Sequence, residues 1–261
     1  LSASVLTDSG PLLFTGPDEL DELTSAEIDR VLDDGMTVYV LGGPSALGED
    51  VVAELTDAGY VVERLEGPSR VETSIAVATE AAELRGVPTE VALARAYGAE
   101  GDDTAAWADA VAGGGWSAST GVPILLTPTE EMHTAPAAWI TDNDIDSTVL
   151  LGGTAALSVD VADAAPGPRR VEGSNRYATA VAIAEDLWDA PSGGFLLSSG
   201  DHAEGWGYAL VGAGLAADGN TPLLLTRTDD LPEETGAVLA CTDGTRPQVT
   251  FLGGSNIISQ K

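Results

Sequence analysis

One block of this chain occurs twice. Arg64-Leu65-Glu66-Gly67-Pro68-Ser69-Arg70-Val71-Glu72-Thr73 returns as Arg170-Val171-Glu172-Gly173-Ser174-Asn175-Arg176-Tyr177-Ala178-Thr179, with both arginines, the Glu-Gly pair and the final Thr kept in register. Pro123-Ile124-Leu125-Leu126-Thr127 returns as Pro222-Leu223-Leu224-Leu225-Thr226 and is prefigured by Pro11-Leu12-Leu13-Phe14-Thr15. Three apolar runs close on a double glycine, at Gly42-Gly43, Gly152-Gly153 and Gly253-Gly254. The blocks keep one order at a period of about a hundred residues, far longer than a solenoid unit and close to the size of a small domain.

Each repeat alternates two patterns. Short apolar runs at 91–94, 124–126, 149–151, 195–197 and 223–225, bounded by Gly and Pro, read as buried strands. Between them lie helical periods, such as Val71-Ser74-Ile75-Ala78 and Val181-Ala184-Leu187-Trp188. Pro17-Asp18-Glu19-Leu20 reads as a helix start with carboxylates in its first turn. Strand–helix alternation with all-apolar strands predicts α/β units with parallel sheets and helices on both faces. No Ser- or Gly-rich linker parts them, so they are expected to pack into one body about an approximate rotation axis.

The boundaries fall at 1–63, 64–169 and 170–261, with the first and last repeats incomplete. The middle repeat is whole, whereas the last stops soon after its double glycine. Leu1 aligns with Val111 and Leu210, so the first lacks its arginine block and first strand. The expectation is a piece of a three-repeat chain; the alternative is that another copy supplies the missing strand.

Charge narrows the partners. There are 42 Asp and Glu against 11 Lys and Arg, a formal net charge of −31, and the sole lysine is Lys261. Such a field repels nucleic acid. Two explanations of the acidic, lysine-poor coat stand side by side: high external salt, which screens the self-repulsion, and a GC-rich coding sequence. No apolar run approaches the ~18 residues of a membrane span. Cys241, the single cysteine, excludes an internal disulfide and reads as a buried inert thiol.

Taken together, Arg170 to Ala180, Asp109-Ala110-Val111, Pro123 to Thr127 and Leu151-Gly152-Gly153 resemble the motifs of the cell wall-binding repeat 2 family of secreted bacterial proteins. The resemblance spans essentially the whole chain. It implies tandem Rossmann-like or Toprim-like units in a pseudo-threefold arrangement. It also implies an extracellular, cell-surface module that anchors a protein non-covalently to an anionic cell-envelope polymer or glycan. Val71 stands where the family prefers the Tyr kept at Tyr177, and Tyr208 stands where an Asp matching Asp109 would fall.

The candidate ligand-binding residues are Arg64, Arg70, Arg170, Arg176 and Asp109. Ser69 and Asn175 are N-cap types, which places Arg70 and Arg176 at the first helical position, where a cation opposes the helix dipole by ~0.3–1 kcal/mol. An exogenous anion or a protein carboxylate must offset that cost, and Asp109, acting across a repeat interface, is the candidate carboxylate. The double glycines read as tight turns more readily than as phosphate cradles, since neither Gly-x-Gly-x-x-Gly nor Gly-Lys-Ser/Thr occurs, and no cofactor is implied. Asp142-Asn143-Asp144-Ile145-Asp146 begins like a calcium loop, but Ser147 and Gly153 stand where its Gly and Glu belong, so a solvated turn and no metal site is expected. Asp102-Asp103 reads as a surface turn. Ser198-Ser199-Gly200-Asp201-His202 holds hydroxyl, carboxylate and imidazole side by side, where adjacent residues cannot converge as a triad. Trp107, Trp116 and Trp206 read as core or interface anchors. The expectation is a non-catalytic attachment module; the alternative is an S-layer or filament subunit assembling by self-association.

Overall fold

The computed structural model describes residues 6, 10–189, 194–240 and 247–259. Residues 1–4, Cys241 and Lys261 lie outside the described residues. The strands fall into three sheets. In the first, β1 (Thr37–Leu41) pairs with β2 (Val61–Leu65). The second contains β3 (Glu90–Arg95), β4 (Ile124–Thr127), β5 (Ser147–Leu151) and β6 (Pro168–Val171), in the order β4-β3-β5-β6. The third contains β7 (Gly194–Ser199), β8 (Leu223–Thr226) and β9 (Gln248–Phe251), in the order β8-β7-β9. Every pairing among them is parallel.

The second sheet is the full unit; the first matches its β5-β6 half and the third its β4-β3-β5 part. This is the tandem α/β arrangement that the sequence repeats predict. Parallel strands covered on both faces need apolar residues at every position. Val91, Ala92, Leu93 and Ala94 meet that need, all with no exposed surface. Ala92 sits opposite Ile124 on one side and Val149 on the other. Arg64 and Arg170 lie at matching positions of β2 and β6, opposite Val40 and Leu150.

Nine α-helices accompany the described strands: α1 (Glu22–Val31), α2 (Glu49–Asp57), α3 (Arg70–Arg85), α4 (Ala108–Thr120), α5 (Thr134–Asp142), α6 (Val159–Ala164), α7 (Arg176–Asp186), α8 (Gly205–Gly219) and α9 (Glu233–Leu239). The second and third units join where α4 lies along α8. Gly113, Gly114 and Gly115 in mid-helix cost up to ~1 kcal/mol each relative to Ala. Packing explains two of them: a Cβ on Gly115 would stand 2.5 Å from the Ala216 Cβ and one on Gly113 would stand 2.6 Å from Leu151. One core runs through both units, with Val111, Trp116, Ile183, Leu196 and Ala209 all buried in it.

One local expectation is corrected. Residues 17–20 form a bend, and α1 begins at Glu22 with Asp21 as its cap, accepting from Leu23 N at 2.9 Å. The bend is held by Thr15, whose Oγ1 accepts from Asp21 N at 2.7 Å and donates to Glu19 O at 3.1 Å. Residues 11–15 form no strand, although they echo β4 and β8. Those two pair with β3 and β7, and no counterpart of β3 stands beside residues 11–15 among the described residues.

Candidate functional site

The repeated block is first a device for starting a helix beneath a strand end. Ser69 Oγ accepts from Val71 N at 3.1 Å, and Asn175 Oδ1 accepts from Tyr177 N and Ala178 N at 2.9 and 3.0 Å. These caps place Arg70 and Arg176 at the first helical position, as expected. Gly67 N and Gly173 N donate to Thr73 Oγ1 and Thr179 Oγ1, each at 3.1 Å, folding the loop back on the helix. No side chain fits there: a Cβ on Gly67 would lie 2.8 Å from Thr73 N, and one on Gly173 would lie 2.5 Å from Thr179 N.

Arg64 and Arg170 do one job in two units. Arg64 Nη1 donates to Gly42 O at 2.8 Å and Leu47 O at 2.9 Å. Arg170 Nη1 donates to Gly152 O at 2.7 Å, and its Nη2 to Ser158 O at 3.3 Å. Both guanidiniums therefore clasp the loop that follows the double glycine. Gly42 and Gly152 turn at φ 108° and 101°, which favours glycine. Their N–H groups are committed to Leu65 O and Val171 O, at 2.8 and 2.9 Å, so these turns are part of the fold and not an empty phosphate cradle.

Arg70 and Arg176 begin alike and end differently. Each donates from Nη1 to the carbonyl just past the first strand of its unit, Ala96 O at 3.1 Å and Gly200 O at 2.6 Å. Arg176 then crosses to the second unit, reaching Thr104 Oγ1 with Nη1 and Asp102 Oδ2 with Nη2, both at 2.5 Å. Thr104 Oγ1 also donates to Asp102 Oδ1. That bond, together with the Arg176 charge, holds the Asp102 carboxyl below its ordinary range. Arg70 has no carboxylate partner among the described residues. Its guanidinium lies over the ring of Tyr97, 5.5 Å from the centroid. Both residues are exposed.

Asp109 keeps a little surface but sits deep among protein atoms at the start of α4. Gly152 leaves it room, since a Cβ there would run into the carboxylate. It hydrogen-bonds Thr179 of the third unit, with Arg95 and Arg176 nearby. Burial outweighs these attractions and pushes its pKa up to about 6. The crevice at the carboxyl ends of β3 and β5, where the strand order reverses and open α/β sheets hold ligands, thus contains the protein's own carboxylate. The expected interface role of Asp109 is present, but the carboxylate that Arg176 grips is Asp102.

The remaining candidates are loop architecture. Ser199 Oγ donates to Asp201 Oδ1 at 2.9 Å, and that oxygen also accepts from Thr228 N at 2.9 Å. His202 Nδ1 accepts from Glu204 N at 3.1 Å and so is turned to its own backbone. Asp142 ends α5, Asn143 Nδ2 donates to Trp139 O at 2.8 Å, and Ile145 is buried, a turn as expected. Trp116 is core and Trp107 packs against it. Trp206 is 39% exposed and meets Phe14 edge-on, ring centres 5.5 Å apart. These two line a recess of about 370 Å³ with Glu204, Gly207, Tyr208 and Val211.

Sequence reasoning missed Asp102, Thr104, Thr179, Arg95 and Tyr97. Thr179 carried a usable signal, because Thr73 repeats it in register. Asp102 and Thr104 carried none, since no repeated block includes them.

The family model for cell wall binding domain 2 (CWB2) matches residues 64–162 and 170–261. The chain is 28% identical over 255 residues to the N-acetylmuramoyl-L-alanine amidase LytC of Bacillus subtilis (strain 168), covering 97% of this chain and 47% of that protein. It is 24% identical over 258 residues to the amidase enhancer of the same organism, covering 96% of this chain and 32% of that protein. The chain thus spans less than half the length of either curated relative. Among solved structures, Cwp6 and Cwp8 from Clostridium difficile share the fold. The TM-scores are 0.83 and 0.78, with 21% and 23% identity, over 97% and 98% of this chain and 39% and 43% of theirs.

Proposed function

The chain belongs to the cell wall binding domain 2 family, and from that premise we propose that it is a non-catalytic module attaching a surface protein to an anionic polymer of the bacterial cell wall. The observation that carries this reading is the family match over two successive units that hold the arginine block in one geometry. The Ser199, Asp201 and His202 side chains, each engaged in loop bonds, support a module without hydrolytic chemistry. Within this reading Arg64 and Arg170 shape the loops, Arg176 and Asp109 join the units, and Arg70, the exposed one of the four candidate arginines, is the one proposed to meet the polymer.

Co-sedimentation with purified bacterial cell walls tests it. Binding is expected to survive protease treatment of the walls and to be lost when the anionic polymer is extracted. Binding to protease-sensitive material alone would favour a subunit that assembles through protein contacts. No sedimentation with any wall fraction would overturn the attachment role.

A further inference from the structure

The first and second units differ in a stretch that both contain whole, the run from the double glycine to the strand-end arginine. It spans 21 positions from Gly43 to Arg64 and 17 from Gly153 to Arg170. The shortfall is about one helical turn: α2 has 9 residues and α6 has 6. The two helices start in register, with Val51 and Val161 buried alike. Pro166 then stops α6, and Ala165 before it is extended, at φ −92° and ψ 140°. In the first unit the extra turn covers the core. Leu55 and Tyr60 are buried there in one cluster with Ile28, and Leu20 packs against it. Tyr60 Oη donates to Asp29 Oδ1 at 2.8 Å. Counted from the helix caps Asp21 and His133, Leu20, Ile28 and Asp29 correspond to Met132, Ile140 and Thr141. Those three residues, with Ile145, Ala165 and Pro166, line an open recess of about 630 Å³. The second unit keeps the floor on which Leu55 and Tyr60 rest in the first, and lacks the two side chains that cover it.

From this pairing of a filled and an open copy we infer that the recess of the second unit is a docking site for a segment of a partner protein, which inserts a tyrosine and a leucine where the first unit has Tyr60 and Leu55 and presents basic residues to Asp144 and Asp163. The occupant is polypeptide because its template is: in the first unit a turn of chain, not a single ring, occupies the place. A tyrosine supplies a large apolar face with a hydroxyl at its tip. Thr141 Oγ1 donates to Ala137 O at 2.9 Å and keeps lone pairs that can accept from that hydroxyl, the part Asp29 plays for Tyr60. Asp144 and Asp163 are exposed residues of the recess, and neither is paired with a cation among the described residues. Two free carboxylates on a chain of net charge −31 repel an acidic partner and a second copy of this chain, and favour a basic one. The inference goes beyond wall attachment and does not depend on it, since this recess faces a protein and not the polymer.

The test is a fluorescence-anisotropy titration of the whole chain against a labelled peptide, Leu-Thr-Asn-Ala-Gly-Tyr between two pairs of lysines. Its centre is the sequence of residues 55–60 with the one acid made neutral. A control peptide replaces Leu and Tyr by Ser and keeps every charge; tyramine is a third probe, a phenol and a cation without a chain. Saturable binding of the first peptide is expected, with the control weaker by about tenfold or more, the loss of two apolar anchors. Ala164→Trp fills the recess from the end of α6 and removes no contact; it is expected to weaken the first peptide by about tenfold or more at an unchanged melting temperature. Asp163→Lys is expected to weaken it by about threefold or more at low salt, with the loss fading as salt rises. A variant in which Leu-Thr-Asp-Ala-Gly-Tyr replaces Ala165 and Pro166 rebuilds the missing turn; it is expected to melt no lower than the parent and to bind no peptide. No saturable binding of the first peptide, equal binding of the two peptides, or parent-like binding by Ala164→Trp would overturn the inference. Displacement of the peptide by an equal concentration of tyramine would assign the recess to small aromatic cations and overturn it too. Wall sedimentation keeps the two readings apart. Ala164→Trp is expected to sediment as the parent does, and a parent that fails to sediment sinks only the attachment reading. Loss of wall sedimentation and peptide binding together in a folded Ala164→Trp would give the recess to the polymer and overturn the docking site.

Discussion

Arg176 and Asp102 meet across the boundary between the second and third units, Nη2 to Oδ2 at 2.5 Å, with Thr104 bridging both. The Arg176 side chain is 19% exposed and that of Asp102 44%, so the pair is only partly screened. Asp102→Asn keeps the shape and removes the charge, and is expected to destabilise the chain by about 1–2 kcal/mol at neutral pH. The Asp102 pKa is depressed in the fold from an ordinary 3.8. Its contribution is therefore present above that pH and is lost as pH falls through the folded value. Chemical denaturation from neutral pH into the acid range should show the parent's advantage over Asp102→Asn vanishing below about pH 4.

Gly173→Ala and Gly67→Ala should be among the most damaging single-methyl changes in the chain. The added Cβ meets backbone of the first helical turn, 2.5 Å from Thr179 N in one case and 2.7 Å from the Glu72 carbonyl carbon in the other. Backbone cannot step aside without dismantling the cap, so a loss of about 3 kcal/mol or more is expected from overpacking. Thermal melts of the two variants check it; a change within about half a kcal/mol would refute the account.

The glycines of α4 make opposite predictions at adjacent positions. A Cβ on Gly114 would lie 3.5 Å from Ala213, an ordinary contact, so Gly114→Ala should be neutral or stabilise by up to ~1 kcal/mol through helix propensity. A Cβ on Gly115 would lie 2.5 Å from the Ala216 Cβ and 3.3 Å from Trp188. Gly115→Ala should therefore push α4 off α8 and cost about 1–3 kcal/mol. The difference between the two melting temperatures reads the closeness of the helix pair directly.

Much of this was legible in the residues, for physical reasons that differ by element. The apolar run at 91–94 announced a buried parallel strand because a strand covered on both faces tolerates no polar position. Ser69 and Asn175 announced helix starts because few side chains cap well. Asp109 was legible as an interface carboxylate only because the resemblance drew attention to it. Its neighbours were not: Arg95 stands in β3 like any charged strand end, and Asp102 reads with Asp103 as a surface turn in a chain of 42 Asp and Glu. What selects Asp102 is a contact with a residue seventy-four positions later, which no local pattern encodes. The helix start misplaced at Pro17 shows the converse, since the Thr15 hydroxyl stabilises a bend that propensity alone would make helix.

Arg170→Ala tests whether the strand-end arginines shape loops. Its guanidinium serves Gly152 O and Ser158 O, two carbonyls left without that donor after truncation. A loss of about 1–3 kcal/mol is expected from the stranded acceptors. Wall binding, compared below the lowered melting temperature, should match the parent. A variant that melts normally but fails to bind would move Arg170 from architecture to ligand contact.

Asp109 gives the chain a pH response opposite in sign to that of Asp102. Burial raises its folded pKa to about 6 from an ordinary 3.8, so the fold favours the protonated form. The stability this contributes is fully present below about pH 4 and is lost as pH rises through 6. A shift of that size corresponds to roughly 2–3 kcal/mol between the two limits. Asp109→Asn is neutral at every pH, so the stability of the parent minus that of the variant should fall as pH climbs from about 4 to about 6.5 and then level off. Arg95 and Arg176 oppose this by favouring the carboxylate, and removing either cation should raise the Asp109 pKa further. A stability difference that stays flat across that window would mean that Asp109 is ionised throughout, and that its attraction to Arg95 and Arg176 outweighs its burial.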